Sequence, residues 1–245
     1  MAEFCVMNVV VDYGNSSAKV AIFDQRKLVE KYTFDNRDAL RDFLKHSSAE
    51  NLIISSVTAD ANQVSSWAVN AKRKFILTHT LPLPITIRYS TPQTLGVDRI
   101  AGACGALQLF PGTSSLVIDA GTCITYDFTD AQGNYHGGGI SPGLMMRFKA
   151  VHTFTARLPL VTPTENPELV GNSTETSIQS GIIYGLVAEF EGIIARYRHK
   201  NPDLKVILCG GDAPFFENKL KDSIFASPDL VLFGLNSVLI HNVVE

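Results

Sequence analysis

The sequence predicts an α/β protein made of two similar domains with mixed sheets and a cleft between them. Three observations support this. Val9-Val-Val-Asp-Tyr-Gly-Asn15 and Leu116-Val-Ile-Asp-Ala-Gly-Thr122 share an apolar strand, an aspartate, a glycine two residues on and then a small polar residue. Each is followed by further strands and then helices, the pattern of α/β domains. The 245 residues are 45% hydrophobic and 18% charged, an ordinary globular balance that can bury a core. Duplicated domains facing each other create a cleft, where ligands usually sit. The turn signal Phe110-Pro-Gly-Thr113 divides the chain into 1–111 and 112–245.

In the first half, the apolar run from Asn8 to Asp12 is a strand, then Tyr13-Gly-Asn-Ser-Ser17 turns into a second strand, Lys19 to Phe23. A third is expected from Val29 to Phe34. Ala39, Leu40, Phe43 and Leu44 share one face, which predicts a helix over Asn36 to His46 with Asn36 as cap. Leu52 to Val57 has the length and β-branching of a buried strand. A helix over Ala59 to Lys72 and strands near Phe75 to Leu77 and Ile85 to Tyr89 complete this half. The second half restarts with a strand from Ser115 to Asp119, a turn at Ala120-Gly-Thr122, and strands at Cys123 to Phe128 and Tyr135 to Ile140. Helices are expected from Gly143, from Thr174 to His199, and from Gly234 onward, with a strand at Leu204 to Cys209.

The formal net charge is −3 with no block of like charges, which argues against a nucleic-acid or membrane-surface binder. Cys5, Cys104, Cys123 and Cys209 lie far apart, suggesting neither a zinc site nor a disulfide framework. The six histidines show no metal-ligand spacing. The first residues read as a strand and not as a signal peptide, and no apolar stretch approaches the ~18 residues of a membrane helix. A cytoplasmic location is expected. Trp67 and the pair Gly181 and Gly185 read as packing residues.

Four elements carry chemistry. In Asp12-Tyr-Gly-Asn-Ser-Ser-Ala-Lys19, successive N–H groups and the Ser16 and Ser17 hydroxyls can face phosphate, Lys19 adds a cation, and Asp12 can hold Mg²⁺ through waters. A plain hairpin explains that loop equally well. The second loop, Asp119-Ala-Gly-Thr-Cys-Ile-Thr125, shifts the balance, because a second strand-end carboxylate is costly unless a cation or donors receive it. Gly96-Val-Asp-Arg99 opens a helix. Asp98 either stabilises that helix N-terminus or accepts a substrate proton, and Arg99 is either a solvated surface charge or a grip for an anion. Gly137-Gly-Gly-Ile-Ser-Pro-Gly143 implies close backbone approach, to a ligand or another strand, and a tight strand-to-helix connection. Two phosphate cradles, a divalent ion and a carboxylate base suffice for phosphoryl transfer.

In this order the four elements resemble type III pantothenate kinase, of the actin-like ATPase superfamily that includes acetate and sugar kinases. The family's Asp-x-Gly-Asn-Thr-x-x-Lys, Gly-x-Asp-Arg, Asp-x-Gly-Thr-x-x-Thr and Gly-Gly-x-Ile-x-Pro-Gly are met by the four stretches quoted, with Ser16 in place of threonine. The stretches Thr155 to Val161 and Ser173 to Gly181 also look like the family, so the likeness spans essentially the whole chain. It implies two ribonuclease H-like (actin-like ATPase) domains and ATP-dependent phosphorylation of pantothenate to 4′-phosphopantothenate. Carried over by position, Asp12, Tyr13, Gly14, Asn15, Ser16, Ser17, Ala18 and Lys19 would bind ATP phosphates, with Thr122 a second nucleotide contact. Asp98 would be the proton acceptor. Tyr89, Gly96, Val97 and Arg99 would line the pantothenate pocket, with Thr174, or the nearby Thr176, a further substrate contact. Asp119 would lie at a monovalent cation, K⁺ or NH₄⁺, required beside Mg²⁺, and a homodimer is implied.

Two other readings stay open on the residues alone. One is an accessory or regulatory protein of the same fold, disfavoured by the joint presence of Asp12, Asp98 and Asp119. The other is a kinase for a sugar or acetate-like substrate, disfavoured by the adjacent Asp98 and Arg99, which suit a substrate with both hydroxyl and carboxylate.

Overall fold

A computed structural model describes residues 7–14, 17–56, 61–221 and 223–243. The chain forms two compact units. The first runs through Pro111 and takes in Gly133–Tyr135 and the segment from Asp229. The second is Gly112–Gln132 with His136–Pro228.

In chain order the first unit contains β1 (Met7–Tyr13), β2 (Ala18–Asp24), β3 (Lys27–Phe34), α1 (Arg37–His46), β4 (Asn51–Ser56), α2 (Ala61–Trp67), β5 (Arg73–Ile76), β6 (Thr86–Ile87) and α3 (Val97–Leu109). The second holds β7 (Ser115–Ala120), β8 (Cys123–Thr129), β9 (Asn134–Pro142, entering from Gly133–Tyr135), α4 (Leu144–Thr153), α5 (Thr174–Lys200), β10 (Lys205–Cys209), α6 (Ala213–Glu217) and β11 (Phe225–Ala226). The last helix, α7 (Leu230–Val243), belongs with the first unit.

The two sheets repeat one topology. The first is ordered β3-β2-β1-β4-β5, and the second repeats that order as β9-β8-β7-β10-β11 with β6 added in parallel beside β9. Within each, the opening hairpin is antiparallel (β1 with β2, β7 with β8). The central strand then pairs in parallel with the strand returning from a helix (β1 with β4, β7 with β10). Val9, Val10 and Val11 on β1, and Leu116, Val117 and Ile118 on β7, are buried on both faces, as expected of strands covered from two sides.

The units are not contiguous halves, and α7 shows why. Leu232, Leu235, Val238 and Leu239 share a core with Val10, Ile53, Ile100 and Cys104. Gly105 and Gly234 let α7 cross α3 closely: a Cβ on Gly234 would sit 1.8 Å from the Ala101 carbonyl oxygen. A buried amide chain fixes the register, since Asn51 donates to Asn8, Asn8 to Asn236 and Asn236 to the Gln25 carbonyl, at 2.9, 3.0 and 2.8 Å. Each buried amide thus has a partner, so none adds the cost of an orphaned polar group.

Local expectations fare unevenly. Asn36 caps α1, its side chain accepting from the Asp38 amide at 2.8 Å. The helix expected over Ala59 to Lys72 is described only from Ala61 and stops at Trp67, where turns through Ala68 and Ala71 take over. The strand expected over Tyr135 to Ile140 is β9, which runs on to Pro142, and the connection to α4 is as tight as expected, with Gly143 alone between them. A Cβ on Gly138 would lie 1.8 Å from the Tyr126 carbonyl oxygen of β8, so there the close approach is strand on strand. Gly181 and Gly185 are not packing positions within the unit, because nothing lies within 4 Å of a Cβ at either. The expectation that no apolar stretch reaches membrane length also needs amending. At 27 residues α5 is long and apolar enough to cross a bilayer, yet Ile182, Ile183, Leu186, Phe190 and Ile194 are buried in the core of the second unit. Among the described cysteines, no disulfide joins Cys104, Cys123 and Cys209.

Candidate active site

In the first unit, β1 delivers Asp12 to the end of the hairpin. Its antiparallel partner is Lys19 and its parallel neighbour Ser55. Directly opposed residues project to one face, so carboxylate and ammonium stand on the same side of the sheet. The hairpin closes with the Gly14 amide donating to the Ser17 carbonyl at 3.1 Å. Ala18 is buried and Tyr13 packs against the same core, so these two could meet a phosphate chiefly through their backbone. Asn15 and Ser16 lie outside the described residues.

Asp98 occupies the first turn of α3, and one carboxylate oxygen accepts from the Arg99 amide at 2.9 Å. The helix-stabilising reading is therefore realised, and it uses one oxygen: among the described residues the other makes no hydrogen bond. A Cβ at Gly96 would fall 2.4 Å from that same bonded oxygen, Oδ1 of Asp98, so a side chain there would displace the carboxylate from this position. Arg99 is not a solvated surface charge. It is only 9% exposed, with its guanidinium 5.9 Å from the Tyr89 ring centroid. Tyr89 in turn lies 6.3 Å from the fully buried Tyr135 ring, placing the cation at the head of an aromatic pair. Asp98, Arg99 and Tyr89 are thus brought together, with Val97 half-buried beside them.

In the second unit, β7 ends on Asp119 and Ala120, the chain turns through Gly121 and Thr122, and β8 departs at Cys123. The turn is held from below. The Gly143 amide donates to the Thr122 carbonyl at 3.2 Å, and a Cβ on Gly143 would lie 2.3 Å from the Gly121 oxygen. It is also held from the side: Gly210 has φ +94°, and a Cβ there would meet Asp119 Oδ1 at 2.4 Å. The left-handed backbone and the close approach both require glycine. Thr122 is exposed at the tip, whereas Thr125 is structural, donating to the buried Asp127 at 2.8 Å. Asp212, whose amide donates to the Ala120 carbonyl at 2.8 Å, sits close by, and burial raises its carboxyl above the usual range.

The two threonines at the start of α5 separate cleanly. Thr176 is the third helical residue of a capping box with Ser173, and its hydroxyl is engaged there. Thr174 is exposed and, with Ser173, Ser177, Leu158 and Ile178, lines an open pocket of about 670 Å³.

Two repeated mixed sheets, each ending a central strand on an aspartate beside a glycine turn, define the class: an actin-like ATPase fold of the kind used by sugar kinases. A glucokinase from an Antarctic psychrotroph shares it with a TM-score of 0.56 at 12% identity, over 97% of this chain and 99% of that one. A conserved Campylobacter jejuni protein described as a Baf family transcriptional activator shares it with a TM-score of 0.63 at 22% identity, over 97% and 100%. At such identities the likeness concerns fold alone. The sequence narrows the class: residues 8–196 match the family described as type III pantothenate kinase. Relatives given that name in Phocaeicola vulgatus and Cytophaga hutchinsonii are 46% and 43% identical, over 96% and 97% of this chain and 99% and 100% of theirs. The chain belongs to the type III pantothenate kinase family, a family of kinases.

Sequence reasoning missed Tyr135 behind Tyr89, and an ion pair between Arg147 and Glu189 under the second loop. Neither carries a local signal, because the partners lie 46 and 42 residues apart. Asp212 had one, the Gly210-Gly211 pair that precedes it.

Proposed function

We propose that this chain transfers the terminal phosphoryl group of ATP to the hydroxyl of pantothenate, giving 4′-phosphopantothenate at the start of coenzyme A synthesis, with Asp98 accepting the hydroxyl proton. Family membership supports the reaction. The observation that carries the residue assignment is the pairing of a half-tethered Asp98 with a buried Arg99 against Tyr89. One carboxylate oxygen fixes the group's orientation while the other is left to take a proton. One residue on, a desolvated guanidinium suits the carboxylate of pantothenate.

Asp12, Gly14, Ser17 and Lys19, with Asn15 and Ser16, would receive ATP phosphates, and Thr122 would add a nucleotide contact. Thr174 would meet pantothenate. Among the described residues no three His, Cys, Asp or Glu gather to form a metal cluster, so cations here would draw most ligands from phosphate, water and backbone oxygen. The donors present fit that: Asp12 is a hard oxygen suited to Mg²⁺ through water. Asp119 projects its Oδ1 into a corner that a Cβ at Gly210 would fill, which suits K⁺ or NH₄⁺. Bound cations would neutralise charge on the transferring phosphoryl group. A homodimer is supported by exposed apolar side chains on the second unit, with Phe154 84%, Val170 81% and Leu169 69% exposed, and by the open glycine face of α5. A cytoplasmic location accords with described cysteines that form no disulfide with one another.

ADP release with ATP, Mg²⁺ and pantothenate, in K⁺ and then in Na⁺ alone, tests the reading. Pantothenate-dependent turnover stimulated by K⁺ is expected. Asp98→Asn should retain ATP binding and lose roughly 10²- to 10⁴-fold in turnover. Normal turnover in that variant removes Asp98 as the base. Nucleotide binding without pantothenate-dependent turnover under either ion returns the reading to an accessory protein or a kinase of another substrate.

A further inference from the structure

We infer that Arg147 and Glu189 are positioning residues for the nucleotide loop of the second unit, acting through the Ser141–Gly143 corner without touching nucleotide themselves. The inference rests on the proposed role of Thr122, and its chain of contacts lies wholly within that unit.

The Gly121-Thr122 turn has little of its own to hold it, its internal bond being the Gly121 amide to the Cys123 carbonyl at 3.1 Å. Its platform is Gly143, which bonds the Thr122 carbonyl and leaves no room for a side chain. What fixes Gly143 is Arg147, four residues on in the first turn of α4. Its Nε donates to the Pro142 carbonyl at 2.9 Å, and one terminal nitrogen donates to Ser141 Oγ at 2.7 Å and to Glu189 Oε2 at 2.5 Å. Glu189, from the middle of α5, closes the loop of contacts by accepting the Tyr126 hydroxyl on Oε1 at 2.8 Å. Tyr126 is a buried residue of β8, the strand that leaves the turn. One ion pair therefore joins both supports of the turn: the corner beneath it and the strand beyond it.

The geometry is that of a specified clamp and not of a loose surface pair. Arg147 and Glu189 side chains are 22% and 24% exposed, and the guanidinium is shared among three acceptors. Charge-assisted bonds of this kind fix direction as well as distance. The exposed Thr122 must be aimed at the nucleotide by the turn that carries it, so loosening the corner should act on nucleotide use before it acts on the fold.

The test is steady-state kinetics on the full chain with Arg147→Ala, Glu189→Gln and Arg147→Lys. Wild-type, pantothenate-dependent ADP release is measured first, because its absence would count against the functional reading itself and not against the clamp alone. With it present, Arg147→Ala and Glu189→Gln should raise KM for ATP roughly 10- to 100-fold while KM for pantothenate stays within about twofold. Arg147→Lys, which keeps a cation for Glu189, should recover part of the loss. Glutamine at 189 retains an acceptor for Tyr126, so this variant keeps the proposal testable if Arg147→Ala fails to fold. An unchanged KM for ATP in folded Glu189→Gln overturns the inference. So does a parallel rise in both KM values with a lowered melting temperature, which would mark a purely structural pair.

Discussion

The β1–β2 and β7–β8 hairpins begin from nearly the same sequence and are supported in different ways. The first loop is bridged from Gly14 to Ser17, and among the described residues a Cβ on Gly14 would approach only the Ser17 carbonyl, at 3.3 Å. The second is wedged between Gly143 beneath and Gly210 beside it, where added carbons would come within 2.3 and 2.4 Å of loop oxygens. Similar strand-turn patterns therefore do not carry similar tolerance. The Gly14 to Ser17 bond of the first loop joins residues three positions apart. The second loop is fixed by residues some twenty and ninety positions away.

The comparison is sharpest at the glycines outside the motifs' aspartates. Gly143→Ala should be the more damaging change, costing about 1–3 kcal/mol through overpacking and removing most turnover, because no rotamer relieves a Cβ against backbone. Thermal melting and ADP release would show it. A variant as stable and active as wild type would mean that the turn is not seated on Gly143. Gly14→Ala should cost under about 1 kcal/mol, since its backbone φ is not left-handed and a shift of a few tenths of an ångström relieves the contact. Equal losses at both sites would dissolve the distinction between a bridged and a wedged loop.

That distinction was only half legible in the sequence. The repeat of strand, aspartate and glycine was visible because each copy is local, and so were the strand order's main members and the Asn36 cap. Arg99 could be read as surface or site, and only its burial against Tyr89 removes the surface reading. The run from Gly137 was legible as part of a strand through Ile140, but whether its glycines admit a ligand or a neighbouring strand was not. They are there so that β9 can lie against Tyr126. The return of α7 to the first unit left no local mark. It depends on Asn8, Asn51 and Asn236, three amides distributed over the whole chain, finding one another.

The smallest expected effect separates the two loops by pH. Glu189, beneath the second loop, is pulled two ways. Burial raises its pKa, and hydrogen bonds from Arg147, Ser141 and Tyr126 with the nearby guanidinium outweigh burial, leaving it below the ordinary 4.5. A carboxyl whose folded pKa lies below its unfolded one contributes stability in full above about pH 4.5 and loses it as pH falls through the folded value. The stability difference between wild type and Glu189→Gln should therefore shrink on acidification from pH 6 to below pH 4.5, while Gly14→Ala should show a difference nearly independent of pH over that range. Melting curves for the three proteins across the range would measure this. A wild-type advantage over Glu189→Gln that persists unchanged in acid would mean the carboxylate's charge does not hold the corner, leaving shape alone to seat the second loop.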